Sequence, residues 1–182
     1  MSDSQHPSIR NVEQRLEELG LETEIRHIPD GARTAAEAAA ALGVDVGQIA
    51  NSLVFSADGE PLLVMTSGAH RVNTSALAAR VSKTSIDRAD AEMVRRATGQ
   101  AIGGVAPIGH PAPLPTLVDR ALAQYDVLWA AAGHSHAVFR LTFDDLVRIT
   151  GGTIVDVDEP DRRERRTGPD PKARPRSQAV DQ

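Results

Sequence analysis

Residues 49–65 read IANSLVFSADGEPLLVM. Ile49 to Phe55 is a mostly apolar strand, Ala57-Asp58-Gly59-Glu60 is a turn, and Pro61 to Met65 is a second strand. The pair is a β-hairpin. A period of two puts Asn51, Leu53 and Phe55 on one face and Ser52 and Val54 on the other. A polar Asn51 beside large apolar residues is either a buried hydrogen-bonding residue or part of a pocket wall.

Towards the N-terminus, Ile9, Val12, Leu16 and Leu19 recur at helical spacing and Gly20 stops the helix. Glu24 to Ile28 alternates as a strand. Thr34-Ala35-Ala36-Glu37 is a capping box opening an alanine-rich helix that ends at Gly43. Towards the C-terminus, residues 74–80 and 89–98 read as helices. Gly99 to Pro115 is too rich in glycine and proline for a regular element. Leu117-Val118 is a short strand. Tyr125 to Ala132 and Ala137 to Leu141 are strands around a Gly133-His134-Ser135-His136 turn. Thr142 caps a last helix stopped by Gly151-Gly152, and Thr153 to Val157 is a closing strand. Strands and helices mix, with hairpins among them and no repeat. The expectation is one α+β domain over residues 6–157.

The 182 residues suffice for one such domain with a remainder. Residues 1–5 are expected to be a disordered N-terminus. From Asp158 to Gln182 there are seven basic and six acidic residues and four prolines. That segment is expected to be a charged, proline-rich disordered tail. It is either a solubilising tail or a weak RNA- or phosphate-attracting arm centred on RRERR. The whole chain carries a net charge of −5, which disfavours DNA as a partner. Aromatic residues are only 3%, namely Phe55, Phe139, Phe143, Tyr125 and Trp129, so the core is aliphatic. They are too few for a base-stacking platform. Cysteine is absent, which removes disulfides, thiolate metal sites and a cysteine nucleophile. No secretory leader or membrane-length apolar run is seen, so no membrane role is expected and the cytoplasm is the default.

Four stretches carry residues that scaffolding does not explain. The first is the strand around Asn51. The second is Thr66-Ser67-Gly68-Ala69-His70-Arg71-Val72-Asn73, which leaves a strand and enters a helix. Backbone N–H groups there can meet a ligand; Asn73 or Thr74 serves as N-cap. His70 and Arg71 are not needed for capping and are candidates for an anionic or polar group. The third is Gly99 to Pro111. Gly103 and Gly104 let backbone approach a ligand closely, and Pro107 stiffens the exit. The stretch lacks the Gly-x-x-x-x-Gly-Lys-Ser/Thr pattern, so it is no nucleotide P-loop. The fourth is Ala131 to His136. His134-x-His136 can place two metal ligands, with His70 or His110 as a third. No other spacing supports a metal, so polar pocket lining or a hydrogen-bonded turn is the reading, with no metal and no cofactor. A Gly-x-Ser-x-Gly elbow is absent. A hydrolase of this sequence works without a side-chain nucleophile.

These four stretches, in this order and spacing, resemble the YbaK/prolyl-tRNA synthetase editing-domain family of aminoacyl-tRNA deacylases. The similar text is RTAAEAAAALGVDVGQIANSLVF, LLVMTSGAHRVN, TGQAIGGVAPIGHP and VLWAAAGHSHAVFRLTFDDLVRITGG, from about Arg33 to Val157. The resemblance implies a compact domain with a mixed, largely antiparallel sheet curving around one pocket and flanked by helices. It implies hydrolysis, in trans, of the ester between a wrong amino acid and tRNA. The tRNA acceptor end is then the partner, with an aminoacyl-tRNA synthetase as a further contact. Gly103, Gly104 and Pro107 resemble the family's loop beside the reacting ester, where a water is aligned by backbone groups and a ribose hydroxyl. Family members commonly carry lysine at the position of Asn51; asparagine keeps a hydrogen bond but not the charge. Other readings are a binding module that keeps the pocket without catalysis, and a hydrolase of another small aminoacyl compound. The expected site is Asn51, Gly103 and Gly104 for catalysis. Leu53, Ser67, Gly68, His70, Arg71, Pro107, Gly133 and His134 are expected to bind substrate.

Overall fold

The hairpin is the centre of the molecule. In the computed structural model, which describes residues 6–28 and 32–158, β2 (Ile49–Ala57) and β3 (Glu60–Ser67) pair antiparallel from Ala50↔Ser67 to Ala57↔Glu60. The expected disorder of residues 1–5 and of 159–182 lies outside the described residues, and so does the expected arm at RRERR.

Around the hairpin the chain builds β1 (Ile25–His27), β4 (Ile86–Arg88), β5 (Thr116–Asp119), β6 (Leu128–His134), β7 (Ala137–Leu141) and β8 (Thr153–Val155). One sheet results, in the order β1-β7-β6-β2-β3-β5-β8, with β4 also on β2. Four pairings are antiparallel, and β2–β6, β3–β5 and β5–β8 are parallel. The helices are α1 (Pro7–Glu18), α2 (Ala35–Leu42), α3 (Thr74–Arg80), α4 (Ala91–Thr98) and α5 (Phe143–Thr150). The α+β expectation and the mixed sheet are borne out.

The alternation of β2 decides which helices go where. Ala50 and Val54 point to the face packed by α1, α4 and α5, through Ile9, Val12, Val94, Leu146 and Ile149. Ile49 points the other way, into a small cluster with Ala38 and Ala39 of α2. Phe55 and Ala57 also point that way, towards Leu77 and Ala78 of α3. So α2 covers one end of this face and α3 the other. Leu53, between them, is left 38% exposed. An apolar side chain stays uncovered there because no helix reaches it.

Local chemistry explains the helix positions. Thr34 and Glu37 form the expected capping box at α2, and Gly43 ends the helix at φ +70°. The backbone N–H groups of Arg33 and Thr34 hold the Glu37 carboxyl below its usual pKa. Asn73 caps α3 and Thr142 caps α5. Some details differ from the expectation: β6 begins at Leu128 rather than Tyr125, and β8 ends at Val155 rather than Val157. Gly133 does not end its strand: β6 absorbs it as an irregularity between Ala131 and His134, so the turn shrinks to Ser135-His136. The three-residue β4 was not expected, because Ile86 is its only buried residue.

Candidate functional site

On one edge β2 has two partners that diverge. β6 pairs with its start, at Ile49↔Trp129 and Ala50↔Ala130. β4 pairs with its end, from Phe55↔Arg88 to Ala57↔Ile86. Between them, residues 51–54 have no strand on that side. A cavity of about 440 Å³ opens at this split. Its size is that of a small-molecule site.

The cavity passes through the plane of the sheet. On the α2 side its wall is apolar, with the small Ala35 and Ala38 beside Ile49, Trp129 and Val138. On the other side the wall is Val94, Val105, Gly103 and Ser135. Asn51 to Phe55 line the split between them. The Asn51 side chain is half-buried and makes no hydrogen bond to the described residues. Of the two sequence readings, the pocket wall therefore describes its position. Arg33 and Arg88, both exposed, bring positive charge to the rim; Arg33 also attracts the Glu37 carboxylate, whereas Arg88 has no ion-pair partner among the described residues. Leu53 and Ile102, the latter 63% exposed, form an apolar lip.

The glycine-rich stretch is held from inside. Gln100 is 3% exposed; its Oε1 accepts from the Ala106 N–H at 2.7 Å, and its Nε2 donates to the Ile108 carbonyl at 3.4 Å. His110 Nε2 lies 2.9 Å from the Ala106 carbonyl. Burial pushes the His110 pKa down, which favours the neutral ring, and since a carbonyl can only accept, Nε2 is the donor. Gly103 adopts φ +89°, with open space around its Cα. Gly104 is different: a Cβ there would sit 2.7 Å from the backbone of His134. The first glycine supplies the turn and the second the close contact with the β6–β7 turn. Gln100→Ala would leave the buried Ala106 N–H without an acceptor. It should cost about 1–3 kcal/mol of stability, read as a lower denaturant midpoint at constant slope.

Three expected site residues, Asn51, Leu53 and Gly103, line the cavity. Gly104 lies one residue behind the wall, against His134 and Ser135. Pro107 is buried beyond Val105 and Ala106. The others sit elsewhere. Ser67 Oγ donates to the Gly47 carbonyl at 2.9 Å, and a Cβ on Gly68 would meet the Val46 carbonyl at 2.5 Å. Both fasten the entry to β2. His70 Nδ1 lies 3.0 Å from Asp119, whose buried carboxylate also accepts the N–H groups of Ser67 and Ala121, both at 3.0 Å. Arg71 is exposed and off the cavity wall. Gly133 packs against the Ser8 carbonyl, and His134 has its ring 4.9 Å from His6 and 5.2 Å from His136. Arg33, Arg88, Gln100 and Ser135 were missed by sequence reasoning. Only Gln100 left a signal, as a lone amide opening a glycine-rich loop.

Comparison with known proteins places the chain in a family. Residues 29–149 match the model of the aminoacyl-tRNA editing domain, and the chain belongs to that family. A crystal structure described as a candidate trans-editing enzyme for prolyl-tRNA synthetase shares 39% identity and superposes with a TM-score of 0.79. The alignment covers 85% of this chain and 99% of that one. The proline–tRNA ligase of Maridesulfovibrio salexigens is 30% identical over 98 residues, 54% of this chain and 16% of the ligase. That of Streptococcus sanguinis is 28% identical over 127 residues, 70% of this chain and 20% of the ligase. The chain thus spans a fifth or less of these two ligases. No helix among the described residues is long and apolar enough to cross a membrane.

Proposed function

We propose that this protein hydrolyses, in trans and in the cytoplasm, the ester bond of mischarged aminoacyl-tRNA. The observation that carries the reading is the position of the cavity. All of its lining but Ile28 falls within the matched editing domain, and it brings the Asn51 amide, which has no partner among the described residues, to the same chamber as Gly103 of the glycine-rich loop. The amino acid and terminal adenosine enter through the split, and the rest of the acceptor end stays outside. Leu53 and Ile102 offer apolar surface to the terminal base, and Arg33 and Arg88 offer charge to its phosphates. An aminoacyl ester is already activated. Positioning, hydrogen bonds to the developing oxyanion and a held water supply the acceleration, without a side-chain nucleophile. Ser52 does not contradict this, because its hydroxyl is turned to Met65 Sδ at 3.3 Å. An aminoacyl-tRNA synthetase that makes the error is the natural second partner.

Purified protein against a panel of mischarged tRNAs tests the reading, with ester hydrolysis of at least one pair expected. Hydrolysis of free aminoacyl esters with no gain from tRNA would move the substrate to small aminoacyl compounds. The charge assignment has its own test. Arg33→Ala and Arg88→Ala should each weaken acceptor-stem binding several-fold and lower the salt slope of log K by about 1. An unchanged slope in both would take the phosphates off this rim.

A further inference from the structure

We propose that the open edge of β2 at Ser52 and Val54 is a main-chain slot that grips the aminoacyl group by its α-amine and ester carbonyl. The proposal rests on the aminoacyl-ester reading above and says which atoms select the substrate's main chain.

The argument is one of hydrogen-bond accounting. A two-residue turn, Asp58-Gly59, joins Ala57 to Glu60, and the Gly68 N–H donates to the Ile49 carbonyl at 2.8 Å. In an antiparallel pair the residues that exchange bonds alternate. The odd-numbered residues 49–57 therefore turn their N–H and C=O groups to β3. The even-numbered ones turn theirs to the opposite edge. The Asp58 N–H, which donates to the Ser85 carbonyl at 3.1 Å, fits that alternation. On that edge Ala50 is paired by β6 and Ser56 by β4. In between, the Ser52 N–H, the Ser52 C=O and the Val54 N–H have no partner among the described residues. Ser52 and Val54 both line the cavity.

Main-chain groups of this kind are almost always paired, so an unpaired run at a cavity is a place for a ligand. The order along the edge is donor, acceptor, donor. A phosphate offers only acceptors and cannot use the central carbonyl. An aminoacyl ester can: its α-ammonium donates to the Ser52 C=O, and its ester carbonyl accepts from the N–H on one side or the other. This is strand addition reduced to a single residue. It reads the substrate's main chain and leaves the side chain to the small apolar wall at Ala35 and Ala38. An N–H on the ester carbonyl also stabilises charge that develops there.

The test uses two stable probes: adenosine bearing amide-linked alanine at the 3′ position, and its propionyl counterpart, which lacks only the α-amine. Wild type should bind the alanyl probe roughly ten-fold tighter, the scale of one charged hydrogen bond. Ser52→Pro and Val54→Pro each delete one free N–H without touching the β2–β3 ladder, as proline at a strand edge allows. At least one of them should weaken both probes several-fold, and the more affected position shows which N–H holds the carbonyl. Leu53→Pro removes a ladder bond and serves as the control for misfolding. Equal binding of the two probes by wild type overturns the slot, whether or not the proline variants fold. So do unchanged affinities in both folded proline variants. Binding of neither probe would instead sink the aminoacyl reading and the slot with it.

Discussion

Asn51→Ala is expected to slow single-turnover deacylation by about 1–3 kcal/mol of transition-state free energy, with little change in melting temperature. The two halves of that expectation come from the same fact. The Asn51 side chain is half-buried at the cavity and bonds to none of the described residues, so removing its amide breaks no hydrogen bond among them. On the proposed function, what it removes is a hydrogen bond to substrate. Asn51→Lys tests the matter from the other side. A positive charge at the split would favour a developing oxyanion, and the family resemblance places lysine there. Undetectable wild-type turnover with activity gained by Asn51→Lys would replace the hydrolase by a pocket that binds without turnover. Clear wild-type turnover untouched by Asn51→Ala would take Asn51 out of the chemistry and leave the glycine-rich loop.

Gly104→Ala should do more damage than Gly103→Ala, although the residues are adjacent. At Gly103 the cost is the positive φ of +89°, about 1 kcal/mol, because a methyl group there meets open space. At Gly104 the methyl group would lie 2.7 Å from His134 Cα and 2.8 Å from the Ser135 nitrogen. Backbone cannot give way as a side-chain tip does, so the loop must lift from the β6–β7 turn. The expected stability loss is about 1–3 kcal/mol. The Gly103 wall moves with the loop, and ester hydrolysis should fall by at least about ten-fold. Thermal melts and single-turnover rates on both variants check the order. Equal effects would mean that the loop does not depend on this close contact.

The sequence was most informative where local rules and tertiary packing agree. The hairpin at residues 49–65, the capping box at Thr34, the Thr142 cap and the glycine stops are set within a few residues, and each is found. Asn51 was visible as a polar residue in an apolar strand. The remaining parts of the cavity depend on what lies across from them. Arg88 faces the cavity only because β4 joins the end of β2, and three residues with one apolar side chain do not announce a strand. Ser67 and His70 look like ligand residues on paper, being small or titratable at a strand end. Their partners, Gly47 and Asp119, lie 20 and 49 residues away in the chain, and those contacts make them fasteners.

The pairing order of the sheet also fixes when the chamber can exist. The β2–β3 hairpin closes over two residues, so its pairing can be sampled within microseconds, before any other strand arrives. The α2 side of the cavity cannot. Ile49 meets Trp129, and β1 at Ile25 waits for Phe139, more than a hundred residues later. Contacts of that span are slow to find, and they come last. A chain cut short before β7 therefore carries the Asn51 strand but no chamber around it. Fragments ending before about residue 140 should be inert towards substrate however well their hairpin folds. Any larger protein that borrows this unit must hold both ends of it in one piece.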